Sequence, residues 1–201
     1  MRPTCPRCLR PSAFCLCLPG EPLQARTRVV ILQHPREARL AICSAFMTRL
    51  ALASAELHRG VRFGDHPRVR EVAAEPGAAL LYPGPGATPA AAAAAAPPPA
   101  LLVIDGTWLQ AERMLRDNPF LAALPRLAVQ PDLPSGYGEL RREPGPEHLP
   151  TIEAVAQALG ALEGDPARFE PMRTRFREVV ERQLSCARGP RRSPRHRPAS
   201  R

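Results

Sequence analysis

The sequence has 201 residues, lacks lysine, is poor in aromatic residues and contains no long apolar run. A membrane-spanning helix needs roughly 20 consecutive apolar residues, so no transmembrane segment is expected. The first three residues carry no cleavable signal pattern. We therefore expect a soluble protein of the cytoplasm with no membrane contact. The absence of Gly-Lys-Ser/Thr also excludes a Walker phosphate-binding loop.

A length of 201 residues gives room for one domain or for one domain with a small appendage, and a hydrophobic share of 44% is enough for a core. The basic residues are all arginine, and 28 of them against 19 acidic residues give a formal charge of +9. An alanine-, proline- and arginine-rich composition accounts for part of this excess. The remainder favours a polyanionic partner such as nucleic acid, because clustered arginines contact phosphates and release counterions. The arginine-rich stretch 187–201 is expected to be a disordered basic tail.

Four of the six cysteines lie close together near the N-terminus, at Cys5, Cys8, Cys15 and Cys17. Two close pairs separated by a short spacer can supply four thiolates to one tetrahedral metal ion. Disulfides are the alternative, but a reducing compartment disfavours them. We predict a structural zinc knuckle over residues 1–24, because four thiolates leave no open coordination position for catalysis. Cys43 and Cys186 are interpreted as a buried residue and a tail residue.

The remaining sequence alternates between strand and helix patterns. Short runs rich in branched apolar residues predict strands at 28–32, 78–82, 101–104 and 126–129. Helical spacing of apolar residues predicts helices at 41–57, 110–116, 151–159 and 167–184. This alternation is typical of an α/β fold. Residues 88–99 are almost all alanine and proline, with nothing specific to bury, so we expect a surface loop there.

The stretch around the single tryptophan is the first candidate site. A predicted buried strand leads into Asp105, Gly106, Thr107 and Trp108, and a helix follows. In open α/β sheets, ligands bind where the carboxyl end of a strand meets the N-terminus of a helix. Asp105 is therefore a candidate for chemistry. The alternative is that Asp105 merely caps the helix through Thr107 and that Trp108 belongs to the core.

Polar or flexible residues also follow two other predicted strands. His34 and Arg36 come directly after the first strand, although a lone histidine in a loop is more often structural than catalytic. The turn that begins with Pro83 and Gly84 follows the second strand, and such a turn leaves backbone groups exposed to a ligand.

A later loop and helix start supply further candidates. Tyr137, Arg141 and Arg142 lie in a polar loop, where the two guanidinium groups can bind a carboxylate or a phosphate or can simply be solvated. Thr151 is predicted to be a helix N-cap, and Glu153 lies favourably in the first turn of that helix.

Five motifs, taken together and in their order along the chain, resemble those of the DTW-domain family, the tRNA-uridine aminocarboxypropyltransferases. The resemblance extends from residue 5 to about residue 183. Two features depart from the family pattern: Pro150 stands where a small polar residue is usual, and the alanine–proline tract has no counterpart. The motifs are the cysteine cluster, His34-Pro35-Arg36-Glu37, Asp105-Gly106-Thr107-Trp108, the loop Tyr137-Gly138-Glu139-Leu140-Arg141-Arg142-Glu143-Pro144 and the helix start Thr151-Ile152-Glu153-Ala154.

The resemblance implies a SPOUT-like α/β domain over residues 25–186, with a mostly parallel sheet, flanking helices and a cofactor pocket compatible with a trefoil knot. It also implies an activity. The 3-amino-3-carboxypropyl group of S-adenosylmethionine would pass to N3 of a uridine in tRNA and leave methylthioadenosine. The zinc knuckle and the basic tail would bind tRNA phosphates, which gives affinity but little sequence information.

The resemblance also assigns roles to residues. Asp105 would be catalytic, either as the proton acceptor for uridine N3 or as an electrostatic partner of the donor. Trp108 would form an apolar wall, Arg141 or Arg142 would pair with the carboxylate of the donor, and tRNA would contact His34, Arg36 and Arg113. The full set of implied donor-binding residues is Pro83, Gly84, Asp105, Gly106, Thr107, Trp108, Tyr137, Arg141, Arg142, Thr151 and Glu153.

Two other functions stay open on the sequence. One is a SPOUT-type RNA methyltransferase, which would use the same donor but transfer the methyl group. The other is a non-catalytic, zinc-containing RNA-binding module, in which Asp105 is only a helix cap. The mass of the product separates the first from the aminocarboxypropyl reaction, and substitution of Asp105 separates the second.

Overall fold

The computed structural model describes residues 3–40, 42–140 and 149–188, except for the side chain of Glu139. Short 3₁₀ helices occur at Ser12–Phe14, Glu37–Arg39, Ala90–Ala93 and Gly138–Leu140. The strands and α-helices in chain order are β1 (Arg28–Gln33), α1 (Ser44–Ala51), β2 (Glu56–Arg59), α2 (Pro67–Ala73), β3 (Ala79–Leu81), β4 (Thr88–Pro89), β5 (Ala100–Asp105), α3 (Trp108–Asp117), α4 (Pro119–Ala122), β6 (Arg126–Ala128), α5 (Thr151–Glu163) and α6 (Pro166–Arg188).

The strands form one parallel sheet in the order β2-β1-β5-β3-β6-β4. β5 lies in the interior of the sheet and pairs with β1 over its whole length, from Ala100 opposite Arg28 to Asp105 opposite Gln33. Parallel strands are normally covered on both faces, which explains their continuous apolar sequences. The predicted α/β fold, with a mostly parallel sheet and flanking helices, is confirmed.

Alternate side chains of the strands enter two cores, because successive residues in a strand point to opposite faces. Each buried aliphatic side chain stabilises the fold by about 1.5–3 kcal/mol. One core includes residues of α1, α5 and α6 together with Val29, Ile31, Leu101 and Val103 of the sheet. The other includes residues of α2, α3 and α4 together with Val30, Leu32, Leu80 and Leu102.

The single long helix predicted at 41–57 is wrong. α1 ends at Ala51, and the chain then continues into the edge strand β2. Leu52 adopts an extended backbone and bridges to Leu23, while the amide of Leu23 donates to the carbonyl of Ala51. This pairing with a distant segment outweighs the helical spacing of apolar residues, because tertiary contacts override local propensity.

The alanine–proline tract at 88–99 is more ordered than the loop that the sequence predicted. It contributes the short edge strand β4 and a 3₁₀ helix, and Ala90 is buried. The 3₁₀ helix packs against α5. A small side chain that lacks polar atoms fits this close contact, so the tract does have something specific to bury.

The predicted helices at 110–116, 151–159 and 167–184 are confirmed within α3, α5 and α6, which extend beyond them. Residues 187 and 188, assigned to the tail from the sequence, belong to α6. The remainder of the predicted tail, residues 189–201, lies outside the described residues. In the part of the chain that the structure covers, no helix combines the length and apolar character needed to cross a membrane.

A charged cluster fastens the edge strand β2 to its surroundings. Glu56 accepts hydrogen bonds from Arg68, including one of 2.6 Å, and lies 3.0 Å from Nε2 of His58 and 3.9 Å from Nε of Arg28. Hydrogen bonding to Arg68, followed by that to His58, lowers the pKa of Glu56 to about 2.

We expect Glu56→Gln to lower the free energy of unfolding by about 1 kcal/mol at pH 7, after allowance for solvent screening. The pKa of Glu56 is depressed in the folded state, so its contribution is complete above the unfolded value of about 4.3. The contribution disappears as the pH falls towards about 2. Urea unfolding of both proteins between pH 7 and pH 3 measures this difference.

Glu71→Gln is the matched control, because Glu71 pairs with the same Arg68 but is 63% exposed. It should cost less than about 0.5 kcal/mol. A difference between Glu56→Gln and the wild type that stays constant down to pH 3 would contradict the role of the cluster.

Candidate active site

A cavity of about 370 Å³ opens at the carboxyl edge of the sheet. The ends of β3, β5 and β6 bound it, together with the beginnings of α1 and α5. Cavities of this size accommodate small organic ligands. The predicted donor-binding residues that line it are Pro83, Asp105, Gly106, Thr107, Trp108, Tyr137 and Thr151.

Asp105 is held between the sheet and a helix. Asp105 is buried, with 8% of its surface exposed. Oδ2 accepts a hydrogen bond from Nε2 of Gln33 at 2.8 Å, and Oδ1 accepts one from the hydroxyl of Thr151 at 2.5 Å. These contacts fix the direction of a carboxylate at the edge of the cavity.

Asp105 is not the cap of α3, so that interpretation is wrong. Thr107 is the N-cap, and it forms a reciprocal capping box with Gln110. The N-cap prediction for Thr151 is also wrong, because Pro150 occupies that position and offers no side-chain cap. Thr151 is the first residue of α5, and its hydroxyl bonds to Asp105 instead.

Gly106 allows the chain to turn tightly between Asp105 and α3. A Cβ atom added at this position would lie 3.1 Å from Cβ of Gln110 and 3.6 Å from Cβ of His34. A side chain here would therefore press on Gln110, which is one member of the capping box. Close packing against Gln110 favours glycine here, and the backbone φ of Gly106 lies outside the left-handed region.

Two aromatic rings form an apolar wall of the cavity. The rings of Tyr82 and Trp108 are tilted against each other with their centres 5.5 Å apart. Both residues line the cavity, and Trp108 is half-buried, so it is not a core residue. Burial raises the pKa of the Tyr82 hydroxyl. Such rings suit contact with a flat, apolar ligand surface.

Glu153 supports the site without lining the cavity. It is 4% exposed, and its Oε2 accepts a hydrogen bond of 3.0 Å from the amide of Gly136. Burial raises the pKa of Glu153. Tyr137, which follows Gly136 in the chain, lines the cavity and packs edge-on against Phe176 of α6. Glu153 therefore fixes the loop that presents Tyr137.

The three residues predicted to contact tRNA, His34, Arg36 and Arg113, are outside the cavity lining. Nδ1 of His34 accepts a hydrogen bond from the amide of Arg36 at 3.2 Å. Burial and then the charges of Arg36 and Arg113 lower the pKa of His34. Arg36 is exposed, and the Arg113 side chain is 71% exposed.

The other predicted residues are placed differently. Gly84 adopts φ +136 and is outside the cavity lining, although the preceding Pro83 lines it. Arg141 and Arg142 lie outside the described residues, so their assignment to the donor carboxylate stays a prediction.

Sequence reasoning missed Gln33 and Cys43. Gln33 is fully buried, and Nε2 of its amide donates to Cys43 Sγ at 3.0 Å as well as to Asp105. One signal for Gln33 was present in the sequence: it is a polar residue at the carboxyl end of an otherwise apolar strand. Cys43 lines the cavity and caps α1 by accepting from the amide of Phe46, which no local pattern indicates.

The four N-terminal cysteines form one cluster. All four sulfur atoms lie within 4.8 Å of one another, and the pairs Cys5–Cys17 and Cys8–Cys15 are 3.9 and 3.8 Å apart. All are free thiols, whereas a disulfide requires a separation of about 2.05 Å. Tetrahedral zinc with bonds of about 2.3 Å places its sulfur ligands about 3.8 Å apart. The cluster can therefore hold a metal ion.

The cysteine segment is packed onto the rest of the domain. Leu16 and Leu18 are buried in the same core as α5 and α6. Two arginines of α6 donate hydrogen bonds to carbonyls of the segment: Arg175 to Cys15 at 2.8 Å, and Arg182 to Ala13 at 2.7 Å. The segment is thus tied to the last helix.

Comparison with known proteins extends these observations. The chain is 33% identical over 175 residues to tRNA-uridine aminocarboxypropyltransferase 2 of Drosophila melanogaster. The aligned region covers 82% of this chain and 68% of that protein. It is 30% identical to the Macaca fascicularis protein of the same name, covering 81% of this chain and 57% of the relative. It is 27% identical to tRNA-uridine aminocarboxypropyltransferase A of Arabidopsis thaliana, covering 84% and 76%.

No solved structure matches the chain. The sequence model of the DTW domain, in contrast, matches residues 2–184, from the cysteine cluster to near the end of α6. The resemblance seen in the motifs is thereby confirmed, and the chain belongs to the DTW domain family.

Proposed function

We propose that this chain transfers the 3-amino-3-carboxypropyl group of S-adenosylmethionine to N3 of a uridine in tRNA. The names of its relatives, tRNA-uridine aminocarboxypropyltransferases, support this assignment. The observation that carries the proposal is Asp105, a nearly buried carboxylate that two side chains orient at the edge of a cavity of about 370 Å³. The cavity has the size of a small-molecule site.

The residues present fit the donor. Tyr82 and Trp108 provide an apolar wall for the adenosine or for the methyl group. The backbone at Pro83 can contact the adenosine, and Tyr137 closes the side near α6. S-adenosylmethionine supplies a sulfonium that releases methylthioadenosine on attack at Cγ of the aminocarboxypropyl chain. Transfer of this chain requires the cavity to present Cγ to the acceptor and to bury the methyl group.

Asp105 acts as the proton acceptor in this proposal. Uridine N3 loses its proton to the carboxylate, a bond forms between N3 and Cγ, and the bond between Cγ and sulfur breaks. A positioned carboxylate contributes by accepting the proton and by orienting the imide. Thr151 and Gln33 keep the carboxylate from rotating away, since each holds one of its oxygens.

We expect purified protein incubated with unmodified tRNA to incorporate label from S-adenosylmethionine labelled in the carboxyl carbon. Label in the methyl group should instead leave as methylthioadenosine. Asp105→Asn should lower kcat by about 10²- to 10⁴-fold, because the amide cannot accept the proton. Scintillation counting and mass spectrometry of the tRNA measure both results.

Asp165→Asn is the matched control, because Asp165 is an exposed residue in the turn between α5 and α6 and should leave the rate unchanged. Methyl label in the tRNA would identify a methyltransferase. No incorporation, with RNA affinity equal in wild type and Asp105→Asn, would support a binding module.

We propose that tRNA approaches across His34, Arg36 and Arg113. The Arg36 amide bonds to His34, and the charges of Arg36 and Arg113 lower the pKa of His34, which supports an anion-binding surface. Arg113→Gln should weaken tRNA binding and reduce its salt dependence, because one phosphate contact is lost. Fluorescence anisotropy at several salt concentrations measures both quantities.

Arg26→Gln is the control for charge alone. Arg26 is 64% exposed and precedes β1, at the opposite edge of the sheet. It should keep the wild-type salt slope. Equal losses in the two variants would mean that tRNA responds to net charge and not to this surface.

We propose that the four-cysteine cluster holds structural zinc. One zinc per chain is expected by elemental analysis, and a chelator should lower the melting temperature by roughly 10 °C. Cys8→Ser should lose the metal, whereas Cys186→Ser should keep it, because Cys186 is exposed on α6 far along the chain. Full metal content in Cys8→Ser would contradict the proposed ligand set.

A further inference from the structure

Gln33 occupies a position that links three strands at the carboxyl edge of the sheet. It is the last residue of β1, and it lies in register with Arg59 of β2 on one side and with Asp105 of β5 on the other. Gln33 is fully buried, with 0% of its surface exposed. A fully buried amide needs a hydrogen-bond partner for each of its polar atoms, because an unsatisfied buried donor or acceptor destabilises the fold.

Each polar atom of the Gln33 side chain has a partner. Nε2 donates to Asp105 Oδ2 at 2.8 Å and to Cys43 Sγ at 3.0 Å. Oε1 accepts a hydrogen bond of 3.2 Å from Nε of Arg59. The reversed amide would set its oxygen against the carboxylate and its NH₂ group against a guanidinium that can only donate. The amide therefore has a single favourable orientation.

We propose that Gln33 is a positioning residue for Asp105, which it keeps ionised and aimed at the cavity while Arg59 fixes the amide from behind. The catalytic consequence rests on the proposed function, in which Asp105 accepts a proton. The structural part, a hydrogen-bond donor that stabilises the ionised carboxylate, does not. The charge of Arg59 polarises the amide and strengthens its bond to Asp105.

The titratable groups around Asp105 come from several elements. Cys43, at the start of α1, is a thiol whose pKa is raised by burial. Tyr82 follows β3, Tyr137 precedes α5, and Glu37 begins the 3₁₀ helix after β1; all three line the cavity with Asp105. Arg59 donates to the same Gln33 amide that donates to the carboxylate. Removal of the Gln33 amide leaves these groups in place, so a change in the titration of Asp105 reports on the amide.

The test uses Gln33→Met, which keeps the shape and removes the donors, and Gln33→Glu, which places a second carboxyl group against Asp105. Both should lower kcat about 10- to 100-fold, with KM for the donor changed less than about threefold. The acid limb of the kcat profile should move to higher pH in both, and further in Gln33→Glu, because like charges disfavour ionisation. Gln157→Met is the control, since Gln157 lies on α5 and bonds to the carbonyl of Gln130.

A second readout does not need activity. In protein with ¹³C-labelled aspartate carboxyl groups, Asp105→Asn identifies the Asp105 signal, and its titration is followed in each variant. The midpoint should rise in Gln33→Met and in Gln33→Glu and stay at the wild-type value in Gln157→Met. This measurement also decides the matter if a variant loses stability, because any folded fraction reports its own midpoint.

The outcomes separate the two proposals. Wild-type protein that transfers no group, combined with a raised midpoint in Gln33→Met, would overturn the proposed function and leave the role of Gln33 intact. Active Gln33→Met with an unmoved acid limb and an unmoved midpoint would overturn the role of Gln33 alone. A fall in rate with both pH readouts unchanged would also overturn it, since that result describes a merely structural residue.

Discussion

The pairing of β1 with β5 is the constraint on which the site depends. This parallel register sets Gln33 beside Asp105 at the point where both strands end. In a parallel sheet all carboxyl ends meet at one edge, so the polar residues that follow the strands converge without help from the loops. The apolar residues earlier in the same strands bury both faces of the sheet and fix that register.

The site at this edge has two parts: a carboxylate held in a fixed orientation, here called the rigid part, and a cavity wall that determines the shape of the site, here called the shaped part. The rigid part is the carboxylate of Asp105, held by a strand residue and by the first residue of α5. The shaped part is the aromatic wall of Tyr82 and Trp108, together with Tyr137, which packs against α6. Orientation and shape are the two properties that a transferase needs to select one carbon of a donor over another, because near-attack geometry supplies much of the rate.

The sequence predicted β1, β3, β5 and β6 and the Asp105 motif because those signals are local. A run of branched apolar residues followed by an acid and a glycine is visible without any tertiary contact. The partners of Asp105 were not visible. Gln33 lies 72 positions earlier in the chain, and the hydroxyl of Thr151, predicted to cap a helix, bonds to Asp105 instead. The strand β2 was missed for a related reason, since the pairing of Leu52 with Leu23 ends α1.

Helix α6 joins two parts of the molecule that are far apart in sequence. Arg175 and Arg182 hold the cysteine segment, and Phe176, between them on the same helix, packs against Tyr137 at the wall of the cavity. A metal ion at the cysteines and a ligand in the cavity would therefore both act on one shared helix. If a metal ion raised the affinity of the cavity for its ligand through that helix, linkage would require the ligand to raise the affinity for the metal by the same factor. The cysteine cluster would then influence ligand binding from a distance, although it does not line the cavity.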